Sequence, residues 1–170
     1  RRKRTQSNVR RERYPAQLSI HLRPPEVADR LLPSHWESDL IMGANNRSAV
    51  ATMVERTSRY VILAKLEAPT AEAATEAIVR EMSRMAPSLL KTMTHDQGSE
   101  MARHTEITAR TGMKIYFADP HSPWQRGSNE NTNGLLRQYL PKGTDLSLVT
   151  QARLDEIADL LNTRPRQTLG

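Results

Sequence analysis

The chain has 170 residues, of which 37% are hydrophobic and none is cysteine. This length is typical of one domain with a sizeable core, and no apolar stretch approaches the ~18 residues that a transmembrane helix requires. The sequence also lacks the pattern of a signal peptide, in which a basic start is followed by an apolar stretch. We therefore expect a soluble protein without disulfides or thiolate metal sites, which fits a reducing compartment.

The formal net charge of +6 lies in the first fifteen residues. Basic side chains there include Arg1, Arg2, Lys3 and Arg4, whereas the rest of the chain carries equal numbers of basic and acidic residues. A basic arm with little apolar content suits contacts with nucleic-acid phosphates, whose affinity comes from counterion release. The arm is therefore a candidate DNA-binding segment, with a solvated tail or a localisation signal as the alternative.

A proline-rich stretch, residues 15–35, follows the arm and is predicted to be a linker with a short helix at residues 26–31. From Trp36 the hydrophobic pattern alternates, which predicts a strand that ends at Gly43. Its side chains divide between two faces: Trp36, Ser38, Leu40 and Met42 on one, and Glu37, Asp39 and Ile41 on the other. We therefore predict an arm and linker at residues 1–32 and one domain at residues 33–170.

The remaining elements follow in a regular order. Residues 49–55 and 60–66 are apolar, β-branched-rich runs joined by a short turn, so with the first strand they predict an antiparallel meander. Caps, glycines and prolines then delimit helices at residues 70–85, 100–110, 128–140 and 150–164, and strands at residues 91–94 and 114–118. This order predicts an α/β fold in which helices cover both faces of a five-stranded mixed sheet, as in the ribonuclease-H-like fold.

A loop interrupted by prolines and glycine runs from Asp119 into the third of these helices, which Ser128 or Asn129 is predicted to cap. Glu130, Asn133 and Arg137 recur there at spacings of three and four, so they share one helical face. Gly134 lies beside them and costs a helix roughly 1 kcal/mol relative to alanine. We therefore expect a group to pack or bind close to the backbone, although a solvated polar face is the alternative.

Three carboxylates hold positions from which they could converge. Asp39 lies in the middle of the first, central strand, Asp96 ends the fourth strand, and Glu130 opens the helix that would cross near both. Converging carboxylates repel one another unless a cation neutralises them, and hard oxygen ligands select Mg²⁺ or Mn²⁺. Two such ions, about 3.5–4 Å apart, would clamp the attacking and leaving oxygens of a displacement at phosphorus. The pattern predicts phosphodiester chemistry on nucleic acid.

Four stretches surround these residues or close the chain: HWESDLI around Asp39, THDQGSE around Asp96, YFADPHSPWQRGSNENTNGLLRQYLPKGTDL around Glu130, and LNTRPRQTLG. Together they closely resemble bacterial insertion-sequence transposases of the insertion-sequence-thirty family, whose core is similar to retroviral integrases. The resemblance covers roughly residues 33–170. The 33 residues between Asp96 and Glu130 match that family's DDE spacing.

The resemblance implies a DDE transposase catalytic domain in which Asp39, Asp96 and Glu130 bind Mg²⁺ or Mn²⁺, as two ions per site. Cleavage at a transposon end would free a 3′ hydroxyl, and this hydroxyl would then attack target DNA without a covalent protein intermediate. Asn133 and Arg137 match the family's polar stripe and would contact DNA near the scissile phosphate. The resemblance also implies a synaptic multimer that brings two ends together, and a cytoplasmic, nucleoid-associated bacterial protein.

Two residues of the loop before Glu130 are further candidates for DNA binding. Trp124 could stack on a base or wedge into DNA, although an anchor that pins the loop to the domain is equally consistent with its position. Arg126, beside Gly127, is a candidate phosphate contact. Because the chain begins with arginine and ends just after a proline-containing turn signal, we expect it to be a piece of a longer protein that lacks the terminal-repeat-reading domain.

The sequence departs from the family's pattern at Ser38, where glycine is expected, and around Asp96, where the neighbours His95 and Gln97 replace commoner aromatic and asparagine residues. Neither departure removes a carboxylate. His95 could assist the site as a proton carrier or a supporting residue, but histidines in such positions are more often packing residues.

Other titratable residues compete with the three carboxylates or accompany them. Glu37 shares a strand face with Asp39, and Asp119 precedes a proline, where it is expected to cap the turn. Glu100 could support the site or simply carry a helix charge. His35, like His95, is either a supporting group or a surface or packing residue.

Two other functions fit the same residues. A structure-specific nuclease of this fold would stop after hydrolysis, and pre-cut ends with a free 3′ hydroxyl would reveal the difference. A catalytically silent DNA-binding or assembly module would bind DNA through the arm with steep salt dependence, and no product would depend on divalent metal.

Overall fold

The computed structural model describes residues 19–29, 32–96, 103–119, 125 and 127–164. A five-stranded sheet forms its centre, in the strand order β3-β2-β1-β4-β5. The strands are β1 His35–Met42, β2 Ala49–Glu55, β3 Val61–Lys65, β4 Thr92–His95 and β5 Lys114–Phe117. The first three pair antiparallel, whereas β4 pairs parallel with both β1 and β5. The predicted mixed five-stranded sheet is confirmed.

The helices of the described residues are α1 Pro25–Asp29, α2 Ala71–Met82, α3 His104–Thr111, α4 Gly127–Leu136 and α5 Gln151–Thr163. Thr70 and Thr150 cap α2 and α5 as predicted, because each hydroxyl accepts a hydrogen bond from the backbone N–H three residues later. Gly112 ends α3 with a φ of 79°, the left-handed conformation that favours glycine there. Within the described part of the chain, no helix has the length and apolar character needed to cross a membrane.

The side chains of β1 alternate between two cores on opposite faces of the sheet. Trp36 belongs to the core that α2 and α3 cover, and Ile41 belongs to the core that α4 and α5 cover. Helix residues complete both cores, with Ala74, Ile78, Met82 and Ile107 in the first, and Leu136, Leu154, Ile157 and Leu161 in the second. The two faces predicted for β1 are confirmed, and both faces of the sheet are covered.

Residues 19–29, part of the predicted linker, pack against the sheet. Ile20 and Val27 are buried, and the Arg23 guanidinium donates a 3.0 Å hydrogen bond to Thr94 Oγ1 on β4. The described part of the linker therefore contributes to the folded body. The boundary at residue 33 stays a prediction, and the basic arm lies outside the described residues.

Both predicted boundaries of α4 differ from the structure. The prediction that Ser128 or Asn129 caps α4 is wrong, because the helix begins at Gly127 and both residues lie buried in its first turn. The helix also ends at Leu136, and a turn carries the chain on to Leu140, which is buried as predicted. The early start has a tertiary cause, since Asn129 bonds to the sheet instead of closing the helix end.

Candidate active site

Two of the predicted carboxylates belong to neighbouring parallel strands, Asp39 within β1 and Asp96 directly after β4. In the register of β1 and β4, Glu37 lies opposite Thr94, so the same register continued by two residues places Asp39 opposite Asp96. Strands in a sheet are about 4.8 Å apart, so this register favours the predicted approach of the two carboxylates. Asp39 is half-buried, and Asp96 directly follows β4 with its side chain 46% exposed.

Both oxygens of Asp39 accept hydrogen bonds that hold the carboxylate in place. Oδ1 accepts from the backbone N–H of Leu40 at 2.8 Å, and Oδ2 accepts from the side-chain amide of Asn133 at 3.2 Å. The sequence predicts Asn133 as a DNA contact, and in the structure its side-chain amide bonds directly to the first carboxylate. Through this bond α4 is attached to the strand that carries Asp39.

The third carboxylate, Glu130, lies one helical turn before Asn133 on α4. Three residues of α-helix span about 4.5 Å, so Glu130 lies about that far along the helix axis from the residue that bonds to Asp39, and its side chain is exposed. Among the residues that the structure describes, no group of three or more His, Cys, Asp or Glu side chains lies close enough to hold a metal ion. The gathering of the three carboxylates around one metal site therefore stays a prediction.

The donor atoms around Asp39 suit a hard divalent cation. Besides the carboxylates, the amide oxygen of Asn133 is buried and has no hydrogen-bond partner in the described part of the chain. A buried oxygen of this kind normally finds a partner, and carboxylate and amide oxygens are ligands that Mg²⁺ and Mn²⁺ accept. The residues present thus fit such a cation in their chemistry.

The two departures from the family's pattern contact each other. A hydrogen bond of 2.5 Å joins Ser38 Oγ on β1 and His95 Nδ1 on β4, and both side chains are buried. The other ring nitrogen of His95 lies 3.3 Å from Asp96 Oδ1. His95 therefore bridges the central strand and the second carboxylate, which favours the supporting role over that of a plain packing residue.

Glu37, the main competitor of Asp39, is fully buried and committed to other groups. One carboxylate oxygen accepts from the Arg56 guanidinium, and the other accepts from the backbone N–H of Asn129 at 2.7 Å. The Asn129 side chain also donates to the Glu37 carbonyl oxygen at 3.1 Å. The signal for this role in the sequence is a glutamate on a buried face of an apolar strand, since such a carboxylate requires a partner.

Arg137 uses its guanidinium within the protein. It donates to the carbonyl oxygen of Met42 at the end of β1 and to that of Leu140, both at 3.4 Å. These contacts were not anticipated from the sequence. They place Arg137 at the end of the strand that carries Asp39, where its role in DNA binding stays a prediction.

His35 and Asp119 have structural roles. His35 begins β1, four residues before Asp39, and its ring nitrogens contact Thr92 Oγ1 at 2.8 Å and Glu26 at 3.1 Å; burial lowers the pKa of His35 despite the opposing effect of Glu26. Asp119 is bonded to Gln125 by two hydrogen bonds of 2.8 and 2.9 Å.

The remaining candidates lie outside the described residues. They are Trp124 and Arg126 in the loop before α4, Glu100, and the arm residues Arg1, Arg2, Lys3 and Arg4. Their predicted roles stay predictions.

Gly134 lies in the interior of α4, is exposed, and would present an added Cβ to open space. No described part of the protein packs against it, which is consistent with the close approach of a ligand and with a solvated polar face. We expect Gly134→Ala to stabilise the free protein by about 1 kcal/mol, which would raise the melting temperature by roughly 2–4 °C. A thermal melt without DNA tests this, and an unchanged or lower melting temperature would contradict it.

Comparison with protein-family models matches residues 32–123, more than half of the chain, to the integrase core domain. This match includes Asp39 and Asp96 and ends before Glu130.

Curated relatives extend the similarity over nearly the whole chain. The chain is 58% identical over 167 residues to the transposase for insertion sequence element IS1086 of Cupriavidus metallidurans, which covers 98% of this chain and 49% of that protein. It is 48% identical over 150 residues to transposase InsI for element IS30A of Escherichia coli, with 88% and 39% covered. With the transposase for element IS4351 of Bacteroides fragilis it shares 39% identity over 168 residues, with 99% and 51% covered. The chain spans about half the length, or less, of these relatives.

A solved structure is similar in fold. It is the cryo-EM structure of a simian T-cell lymphotropic virus intasome in complex with PP2A regulatory subunit B56 gamma, which matches with a TM-score of 0.64 and 18% identity over 82% of this chain and 52% of that chain. At this identity the similarity shows the fold alone. The predicted ribonuclease-H-like sheet with flanking helices is confirmed, as is the resemblance to insertion-sequence transposases.

Proposed function

Because the chain belongs to the integrase core domain family, we propose that it is the catalytic part of an insertion-sequence transposase. The proposed activity is metal-dependent cleavage at transposon ends, followed by transfer of the new 3′ hydroxyl into target DNA. One observation carries the proposal: β1, which bears Asp39, pairs parallel with β4, which Asp96 follows, and the helix that bears Glu130 is bonded to Asp39 through Asn133.

The reaction has two displacements at phosphorus. In the first, water adds to the phosphate at the transposon end and the bond from phosphorus to the 3′ oxygen breaks, which leaves a free 3′ hydroxyl. In the second, that hydroxyl attacks a phosphate of the target, loses its proton, and displaces the target's own 3′ oxygen, which takes up a proton. One phosphodiester bond forms as another breaks, so strand transfer requires no nucleotide cofactor.

Asp39, Asp96 and Glu130 are the residues that would hold the metal. The family is metal-dependent, and Mg²⁺ or Mn²⁺, bound as two ions, would activate the attacking oxygen and neutralise charge on the leaving oxygen. The chain's own contribution is positioning: Leu40 and Asn133 orient Asp39. Groups that are already fixed lose little conformational entropy when they bind.

DNA, as transposon ends and as target, is the proposed partner, and two copies or more of the protein would hold two ends in a synaptic multimer. Basic side chains suit the phosphates, and an aromatic side chain suits an unpaired base. The proposed contacts near the site are Asn133, Arg137, Arg126 and Trp124, and those of the arm are Arg1, Arg2, Lys3 and Arg4.

The test is a joining assay with a pre-cut transposon-end duplex, a plasmid target and the full-length parent of this chain, in Mg²⁺, Mn²⁺ or chelator. We expect joined product in either metal and none in chelator. Nicking of an uncut end without any joining of the pre-cut end would show that the protein is a nuclease and not a transposase. DNA binding that is steeply salt-dependent, with no metal-dependent product, would show that the protein is a catalytically silent binding module.

A further inference from the structure

A buried ionic contact attaches the first turn of α4 to the central strand. Glu37 on β1 is fully buried, and its carboxylate lies between the guanidinium of Arg56 and the backbone N–H of Asn129. The Arg56 side chain is itself buried and also donates to the Val27 carbonyl oxygen at 3.2 Å. A buried carboxylate is tolerated only when its oxygens are paired in this way.

The Asn129 side chain adds bonds from the same turn of α4 to two strands. Its amide donates to the carbonyl oxygens of Glu37 at 3.1 Å and of Thr52 at 3.4 Å, and its amide oxygen accepts from the Thr52 hydroxyl at 3.3 Å. Asn129 has no exposed surface. Because bonds to both β1 and β2 converge on one residue, they fix the height and the rotation of α4 over the sheet.

From this geometry we infer that Glu37 is a positioning residue for the proposed active site. Asn129 directly precedes Glu130 and lies one turn before Asn133, so any rotation of the first turn of α4 moves both residues relative to Asp39. Glu37 and Asp39 project from the same face of β1. Strand β1 therefore carries the predicted metal ligand Asp39. Two residues earlier it carries Glu37, which positions α4, the helix that bears the predicted ligand Glu130. This inference rests on the proposed function.

The main test variant is Glu37→Gln, which keeps the shape of the side chain. An amide offers one acceptor oxygen where the carboxylate offers two, so it cannot serve both Arg56 and the Asn129 N–H. The matched control is Glu81→Gln, since Glu81 is also buried and paired with arginines, Arg80 at 3.1 Å and Arg84 at 3.3 Å, but lies on α2, on the opposite side of the sheet. Arg56→Lys serves as the conservative variant, because it keeps a cation at the same place.

The first readout is the position of α4 without DNA or metal. The chain has no cysteine, so spin labels at Gly134→Cys on α4 and Glu72→Cys on α2, both exposed, give one defined distance by double electron–electron resonance. We expect that distance to shift or broaden in Glu37→Gln, to stay unchanged in Glu81→Gln, and to be largely kept in Arg56→Lys. Circular dichroism confirms that each variant is folded.

The second readout is joining of pre-cut ends by the parent protein. A misplacement of about 1 Å at a reacting group can cost on the order of 100-fold in rate, so we expect kcat to fall by that order in Glu37→Gln while KM for the end duplex is unchanged. Arg56→Lys should keep most of the parent protein's joining rate, and Glu81→Gln should keep all of it.

The outcomes separate the inference from the function on which it rests. An unchanged label distance in Glu37→Gln overturns the inference, whatever happens to the rate, and so does a shifted distance with a normal kcat. If the unsubstituted parent joins no ends under any metal condition, the proposed function fails. In that case the distance measurement still decides whether Glu37 fixes α4.

Discussion

Asp39→Asn, Asp96→Asn and Glu130→Gln should each reduce strand transfer by the parent protein by about 10³-fold or more. In a metal-dependent displacement at phosphorus, the bound ions neutralise negative charge in the transition state and lower the activation free energy by several kcal/mol. Each 1.4 kcal/mol of activation free energy changes the rate by a factor of about ten. Each substitution keeps the shape of the side chain and removes only the negative charge. The measurement is the rate of joining of pre-cut ends in saturating Mg²⁺.

These substitutions should leave the fold intact. Glu130 is exposed and Asp96 is about half-exposed, while Asn at position 39 still offers an oxygen to the Leu40 N–H. The control is Glu72→Gln, which removes an exposed carboxylate from α2, on the opposite side of the sheet, and should keep full activity. Normal joining by any one of the three site variants would disprove the assignment of that residue, and a failure of the control would indicate a general effect of charge.

The parts of the fold that sequence patterns predicted are those that local chemistry decides. Alternation along β1 placed Trp36 and Ile41 on opposite faces because the side-chain period of a strand is two residues. Thr70 and Thr150 were identified as caps because their hydroxyls serve N–H groups only three residues away. Neither feature depends on what the rest of the chain does.

The contact between Ser38 and His95 shows where local reasoning ends. Each residue stood out from the sequence as a departure from the family's pattern, but 57 positions separate them. Their hydrogen bond exists because β1 and β4 are parallel neighbours in one particular register, and a shift of one residue would turn the two side chains to different partners. The sequence identified both residues without indicating that they touch.

Asn129 shows a local preference that a tertiary contact overrides. Asparagine before an apolar helical stripe is a favoured N-cap, and that preference produced the wrong prediction for α4. A cap is worth about 1 kcal/mol, whereas the buried Glu37 carboxylate would be far more costly without its donors. The helix therefore begins earlier, and the Asn129 N–H points at the carboxylate.

The selection of three carboxylates from nineteen acidic residues depended on the order of the strands, and the structure supports part of it. The predicted neighbouring of β1 and β4 is confirmed, while a contact between Asp39 and Asp96 stays a prediction. Glu37 looked like an equal competitor on the same strand face, and only its burial against Arg56 sets it apart. The gathering of Glu130 with the two aspartates stays a prediction, because no such group of three is present among the residues that the structure describes.

Arg56→Leu should destabilise the folded chain by about 3–5 kcal/mol, the usual cost of removing one partner from a buried ion pair. Arg56 is 7% exposed and Glu37 has no exposed surface, so water cannot replace the lost guanidinium. The substitution also removes the bond from Arg56 to the Val27 carbonyl, which holds α1 against the sheet. The free energy of unfolding follows from urea titration monitored by circular dichroism.

Two comparisons isolate the buried charge as the cause. Arg153→Leu breaks a pair with Glu156 of 2.9 Å in which both side chains are about half-exposed or more, and such a pair is worth at most about 1 kcal/mol. The double variant Glu37→Gln with Arg56→Leu leaves no buried carboxylate, so it should be more stable than Arg56→Leu alone. A loss no larger than that of Arg153→Leu, or a double variant less stable than the single one, would mean that the Glu37 carboxylate does not depend on Arg56. The bond between Glu37 and the first turn of α4 would then be independent of Arg56.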